Sequence, residues 1–179
     1  GTVPVKGDGE QAIIGKDGLI YVNSEDTNEV VVFDPKSLEV KNRFPIGVAK
    51  RPTGLAYDAK TNRLFIGCGN EPKMVVMDAA NGKVLSKVPI CNGTDSTWFD
   101  PGTKMIFVSC SDGHITIAHE GSPSQLRAVG TIDTARGAKT MALDPRTHKV
   151  FLITAEFGPP PAPTAERPHP RPAIVPGSF

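Results

Sequence analysis

Gly54-Leu55-Ala56-Tyr57-Asp58-Ala59-Lys60-Thr61-Asn62-Arg63-Leu64-Phe65-Ile66 decides the fold, because its pattern occurs four times in the chain. A first strand of small and apolar residues runs into a polar turn, and a short apolar strand with a central aromatic follows. Gln11–Ile14, Ser96–Phe99 and Thr140–Leu143 open the other three copies. Their second strands are Leu19-Ile20-Tyr21-Val22, Met105-Ile106-Phe107-Val108 and Val150-Phe151-Leu152-Ile153. Tyr21, Phe65, Phe107 and Phe151 recur at intervals of 44, 42 and 44 residues. A repeat of that length built only of strands and turns marks a β-propeller blade.

Working outward from the aromatic strand, each full period holds two more strands. Glu29–Asp34, Lys73–Asp78 and His114–His119 are nearly continuous apolar runs, as expected of a strand covered on both faces. Leu38–Phe44, Lys83–Ile90 and Arg127–Ile132 alternate more, as a rim strand with one wet face does. The first strand, rich in Gly and Ala, is placed along the central channel. No stretch holds a 3.6-residue apolar period long enough for a helix.

The blades are read as 8–46, 47–90 and 91–133, with a partial blade at 134–157 and residues 2–7 as the last strand of a preceding one. The fold class is therefore all-β: a propeller with three complete four-stranded blades, partial blades at both ends, and a larger ring implied. A second chain or self-association is expected to complete that ring, since open ends expose sheet faces and edges. The competing arrangement is a small ring closed by its own termini. Residues 158–179 form a proline-rich loop or tail with prolines at 159, 160, 161, 163, 168, 170, 172 and 176. Proline cannot donate to a sheet ladder, so the segment reads as an enlarged loop before a third strand that starts at Ser178-Phe179.

Bulk composition excludes several functions. Twenty Lys and Arg balance 19 Asp and Glu, and no basic block appears, which argues against a nucleic-acid partner. No apolar run approaches the roughly 20 residues of a membrane-spanning helix. Gly1-Thr2-Val3-Pro4-Val5 reads as the interior of a longer protein, from which a signal peptide could already be gone.

Gly18–Asn23, Val31–Asp34, Pro52–Asp58, Arg63–Gly67 and Met141–Phe151 together resemble the YVTN/YncE-like bacterial β-propeller repeat family. The resemblance covers about residues 2–153. It implies a ring of seven or eight blades and an exported protein, periplasmic or extracellular. Most members lack an established reaction. Related propellers include lactonases and haem d1 domains, but no residue pattern here places either site.

The loops before each first strand and after each second strand open on one face. Glu10, Arg51, Asp95, Arg136 and Lys139 fall near the channel mouth, with Asn23, Cys68, Cys110, His114 and Glu156 farther out. Mixed carboxylates and cations around a concave mouth suit a peptide or a small polar ligand; the competing reading is that they only solvate the channel. Cys91 lies between blades and could bond Cys68 or Cys110 if the backbones approach within about 7 Å. Free thiols are the preferred state for all three. His114 is the one candidate metal ligand, unsupported by a Cys-x-x-Cys or a His pair, so neither metal nor cofactor is expected. Phosphate-loop, nucleophile-elbow and His-Glu-x-x-His motifs are lacking. A binding or scaffolding propeller is the favoured function, and a lactonase-like hydrolase or metal- or cofactor-assisted enzyme is the alternative.

Overall fold

The computed structural model describes residues 1–121, 125–168, 170 and 172–178. Three antiparallel sheets follow one another, each with its four strands in chain order. Blade A holds β1 (Gly9–Ile14), β2 (Ile20–Ser24), β3 (Glu29–Phe33) and β4 (Val40–Pro45). Blade B holds β5 (Lys50–Asp58), β6 (Arg63–Asn70), β7 (Lys73–Asp78) and β8 (Val84–Pro89). Blade C holds β9 (Thr94–Asp100), β10 (Met105–Cys110), β11 (His114–Glu120) and β12 (Leu126–Asp133). A two-stranded unit, β13 (Met141–Asp144) with β14 (Lys149–Leu152), follows as blade D. The architecture is a partial β-propeller.

Register carries the repeat into space. Tyr21 stands opposite Ile13 and Val32, Phe65 opposite Ala56 and Val76, and Phe107 opposite Trp98 and Ile117. Phe151 stands opposite Ala142. Every full blade also shifts register near the start of its first strand and again between its third and fourth strands. Such bulges add twist and are characteristic features of a family of sheets.

The turns share one device. Asp58 Oδ1 accepts from Lys60 N and its Oδ2 from Thr61 Oγ1; Asp100 does the same with Gly102 and Thr103, and Asp144 with Arg146 and Thr147. Asp34 and Asp78 serve the turns between third and fourth strands in like manner. Four residues after each aspartate the backbone turns left-handed, at Asn62, Lys104, His148, Leu38 and Gly82. Aspartate replaces the missing ladder partner and the left-handed residue returns the chain. Leu38 does so at φ 61°, where an L side chain costs roughly 1–2 kcal/mol.

Strand alternation divides the core into two layers. Leu64, Ile66, Cys68, Val75 and Met77 of blade B pack with Tyr21, Val30, Val32 and Phe44 of blade A. Phe65, Met74 and Val76 turn the other way, onto Ile106, Val108 and Ala118 of blade C. Blade D is held by Met141, whose carbonyl accepts from Trp98 Nε1 at 2.8 Å.

The N-terminal end differs from expectation. Residues 1–8 belong to no strand. They drape over blade A instead, where the Arg43 guanidinium donates to Val5 O and Pro4 O and Ser24 Oγ to Lys6 O. A strand needs a ladder partner, and none of the described strands pairs with this segment, whose Pro4 and Val5 carbonyls are taken by Arg43. At the other end the proline-rich loop closes on itself: Phe157 pairs with Ile174, Gly158 N donates to Ala173 O, and Val175 N donates to Glu156 O. The strand start expected at Ser178-Phe179 lies partly outside the described residues, Phe179 not being among them.

Candidate functional site

The first strands β1, β5 and β9 converge, and one side chain joins them. Gln11 Oε1 accepts from Leu55 N at 3.0 Å and Thr97 N at 3.1 Å, while its Nε2 donates to Thr97 O at 3.1 Å. Its amide therefore acts as a short piece of strand between blades A, B and C. The equivalent position is Gly54 in blade B, where a Cβ would collide with Thr97 and the Ser96 backbone. Only glycine permits that approach. A cavity of about 280 Å³ lies along these strands, with Gln11, Ile13, Leu55, Tyr57, Thr97 and Phe99 in its wall.

Charged groups gather where these strands begin. Arg51 pairs with Glu25 at 2.5 Å, and Lys139 with Asp95 at 2.9 Å. Thr140 Oγ1 also donates to Asp95, at 3.2 Å. Among the described residues Glu10 has no ion pair of its own, although its charge is felt at Arg51. Burial pushes its carboxyl above the ordinary carboxylate range, and the charge and hydrogen bond of Glu25, then Asp95 and Asp8, push it further. Four acids, Glu10, Glu25, Asp95 and Asp8, thus face two cations among the described residues, both already engaged.

Of the residues singled out in the sequence, Glu10, Arg51, Asp95 and Lys139 belong to this group. Arg136 lies elsewhere, its backbone against Gly113 in the β10–β11 turn. Asn23 is fully buried and works as an internal strut, donating from Nδ2 to Thr53 O and Gly54 O. Glu156 anchors the proline-rich loop through its backbone, N–H to Ser178 Oγ and C=O from Val175 N. Glu25 and Gln11 were missed. For Gln11 the signal was present: it is the one long polar side chain at a position that holds Gly54, Ser96 and Thr140 in the other copies.

The preference for free thiols is corrected at two of three cysteines. Cys91 and Cys110 form a disulfide, their Cα atoms 5.8 Å apart. The β8–β9 connection is brought there by Cys91 N donating to Thr116 Oγ1 at 2.9 Å. Cys68 is free and buried, and burial pushes its thiol up to about 12, so it stays protonated at neutral pH. His114 Nδ1 sits 3.0 Å from Asp112 Oδ1, and its Nε2 sits 3.6 Å from Asp133 Oδ1.

The opposite, turn-bearing face carries polar joints between blades. Tyr21 stacks on Tyr57 and donates to Asp17 and Ala79 O. Arg63 and Glu120 form a buried pair at 2.5 Å between blades B and C. Burial raises the Glu120 carboxyl; Arg63 opposes that and nearby Asp58 adds to it. His148 Nδ1 contacts Asp100 Oδ2 at 2.7 Å between blades C and D.

No family model matches the chain, and no curated protein sequence matches it. Solved structures do. The hydrazine synthase of Kuenenia stuttgartiensis superposes with a TM-score of 0.72 at 16% identity, over 83% of this chain and 42% of that one. A chain in a structure of the mitotic checkpoint complex superposes with a TM-score of 0.69 at 20% identity, over 82% and 46%. The chain spans less than half the length of either, and at such identities the likeness is one of fold.

Proposed function

We propose that this chain is part of a ligand-binding propeller of the YVTN/YncE-like kind, exported to the periplasm or beyond, whose channel mouth receives a positively charged group of a peptide or small polar molecule. The observation that carries this is Glu10, a crowded carboxylate whose neighbours Glu25 and Asp95 already hold Arg51 and Lys139. An incoming ammonium or guanidinium relieves the repulsion at that point, and Glu25 and Asp95 lie within reach of its field. Gln11 holds the floor of the mouth rigid, so little ordering is left to be done on binding. The Cys91–Cys110 disulfide supports an oxidising compartment.

The sign of the pH dependence follows from Glu10. Its carboxyl holds a proton above the ordinary value of 4.5, and a cationic ligand displaces that proton. Affinity therefore rises with pH from about that value upward and levels off once Glu10 is fully ionised. The test is an NMR titration of the protein with trilysine and with triglutamate. Trilysine is expected to shift the amides of Glu10, Gln11, Asp95 and Lys139, and Glu10→Gln to remove the pH dependence. Equal shifts from triglutamate, or none at the mouth from trilysine, would sink the reading.

A further inference from the structure

The disulfide has company that the mouth does not use. Cys91 Sγ, Cys110 Sγ and an Asp112 carboxylate oxygen all lie within 4.8 Å of one another. Asp112 is oriented by Asn92 N, which donates to Oδ2 at 2.8 Å, and its Oδ1 contacts His114 Nδ1 at 3.0 Å. A groove of about 330 Å³ opens over the group, with Cys91, Asp112, His114 and Thr116 in its wall. Cys91 is half-buried beside that groove, whereas Cys110 is enclosed.

We propose that reduction of the Cys91–Cys110 disulfide converts this cluster into a binding site for a thiophilic divalent cation, Zn²⁺ being the ion it suits. Two thiolates, a carboxylate and an imidazole make a four-ligand set of the kind zinc takes. In the disulfide form the sulfurs carry no thiolate, so the metal site is closed while the bond is intact. The opening step consumes two molecules of a low-mass thiol. The first attacks Cys91 Sγ, the sulfur facing the groove, and Cys110 leaves as a thiolate that takes up a proton. The second attacks the reductant's sulfur in the mixed disulfide, freeing Cys91, and the reductant departs as its own disulfide. Two electrons and two protons have then passed to the protein, and Zn²⁺ displaces both protons on binding. His114, 41% exposed and 3.0 Å from Asp112, stands outside the three-group cluster and has to turn from Asp112 to complete the set.

Position alone does not produce such a site. Cys68 occupies the same strand end in blade B as Cys110 does in blade C, yet it faces the A–B core among Leu55, Leu64, Ile66 and Val75.

The experiment uses the full chain, oxidised or reduced with dithiothreitol and then freed of it under anaerobic conditions. Zn²⁺ is titrated in competition with a chromophoric chelator, and Co²⁺ is used to read thiolate-to-metal charge transfer. One Zn²⁺ per reduced chain and none per oxidised chain is expected, with Cys68→Ser unchanged. Asp112→Ala and His114→Ala, which leave both cysteines in place, should each weaken binding about tenfold or more. Circular dichroism of the reduced chain reports whether the sheets persist. Equal affinity in wild type, Asp112→Ala and His114→Ala would mean that loose thiols alone hold the metal, and would overturn the proposal. So would absence of uptake by the reduced chain, or equal uptake by the oxidised one.

Discussion

Asp100 and Glu10 lie at opposite ends of first strands, and burial pushes both carboxyls upward. They end in opposite states. At Asp100, hydrogen bonds from Thr103, Gly102 and His148 outweigh burial and bring the carboxyl below its ordinary range. At Glu10 the neighbours are further acids, and the carboxyl stays raised. Asp100 draws two donors from its own turn and a third from blade D, whereas Glu10 has no ion pair among the described residues. That difference separates an acid tied into the fold from one with no ion pair among the described residues, and the proposed ligand reading rests on the second.

The largest test strikes the turn end. Arg63→Met leaves Glu120 buried without its partner and is expected to cost about 3–5 kcal/mol in denaturant unfolding. Adding Glu120→Leu should recover most of that. If the single variant is as stable as wild type, the turn-end joints are not structural and the contrast fails. Asp100→Ala follows, with an expected loss of about 2 kcal/mol from the unpaired turn donors. Its pH signature is fixed in sign: a lowered carboxyl stabilises above the ordinary 3.8 and loses that contribution as pH falls through its folded value.

Gln11→Ala is expected to cost about 1–2 kcal/mol, since Leu55 N, Thr97 N and Thr97 O lose their shared partner. Amide exchange at Leu55 and Thr97 reads the same loss locally. Glu10→Gln should have the smallest effect, within about 1 kcal/mol and towards greater stability at neutral pH. A raised carboxyl favours the fold below 4.5 and ceases to as pH rises through its folded value, so the variant flattens that decline. A thermal-melt series from acid to neutral pH distinguishes the two slopes. Destabilisation by Glu10→Gln at pH 7 would place Glu10 with the structural acids.

The blades were legible because a period of about 44 residues needs no knowledge of contacts: alternation places Phe65 on one face and Leu64 and Ile66 on the other, and the sheets obey it. The same repeat brought Glu10, Arg51, Asp95 and Lys139 to the starts of first strands, where Arg51 pairs with Glu25 and Lys139 with Asp95; that they form a binding face is the proposal above. What the pattern could not convey were pairings across blades. Gln11 meets Thr97 at a separation of 86 residues, and Arg63 meets Glu120 at 57. The disulfide depended on how near the β8–β9 connection passes to the end of β10, a distance no spacing encodes. Residues 2–7 had strand composition, but Arg43 claims their carbonyls.

The single amide that laces three strands together also fixes what lies beside Glu10. Gln11 follows Glu10 along β1, its oxygen and one amide N–H already taken by the backbones of β5 and β9. Under the proposed reading residue 11 is therefore the place to recut the base of the site, since shortening that one side chain frees Leu55 N, Thr97 N and Thr97 O together.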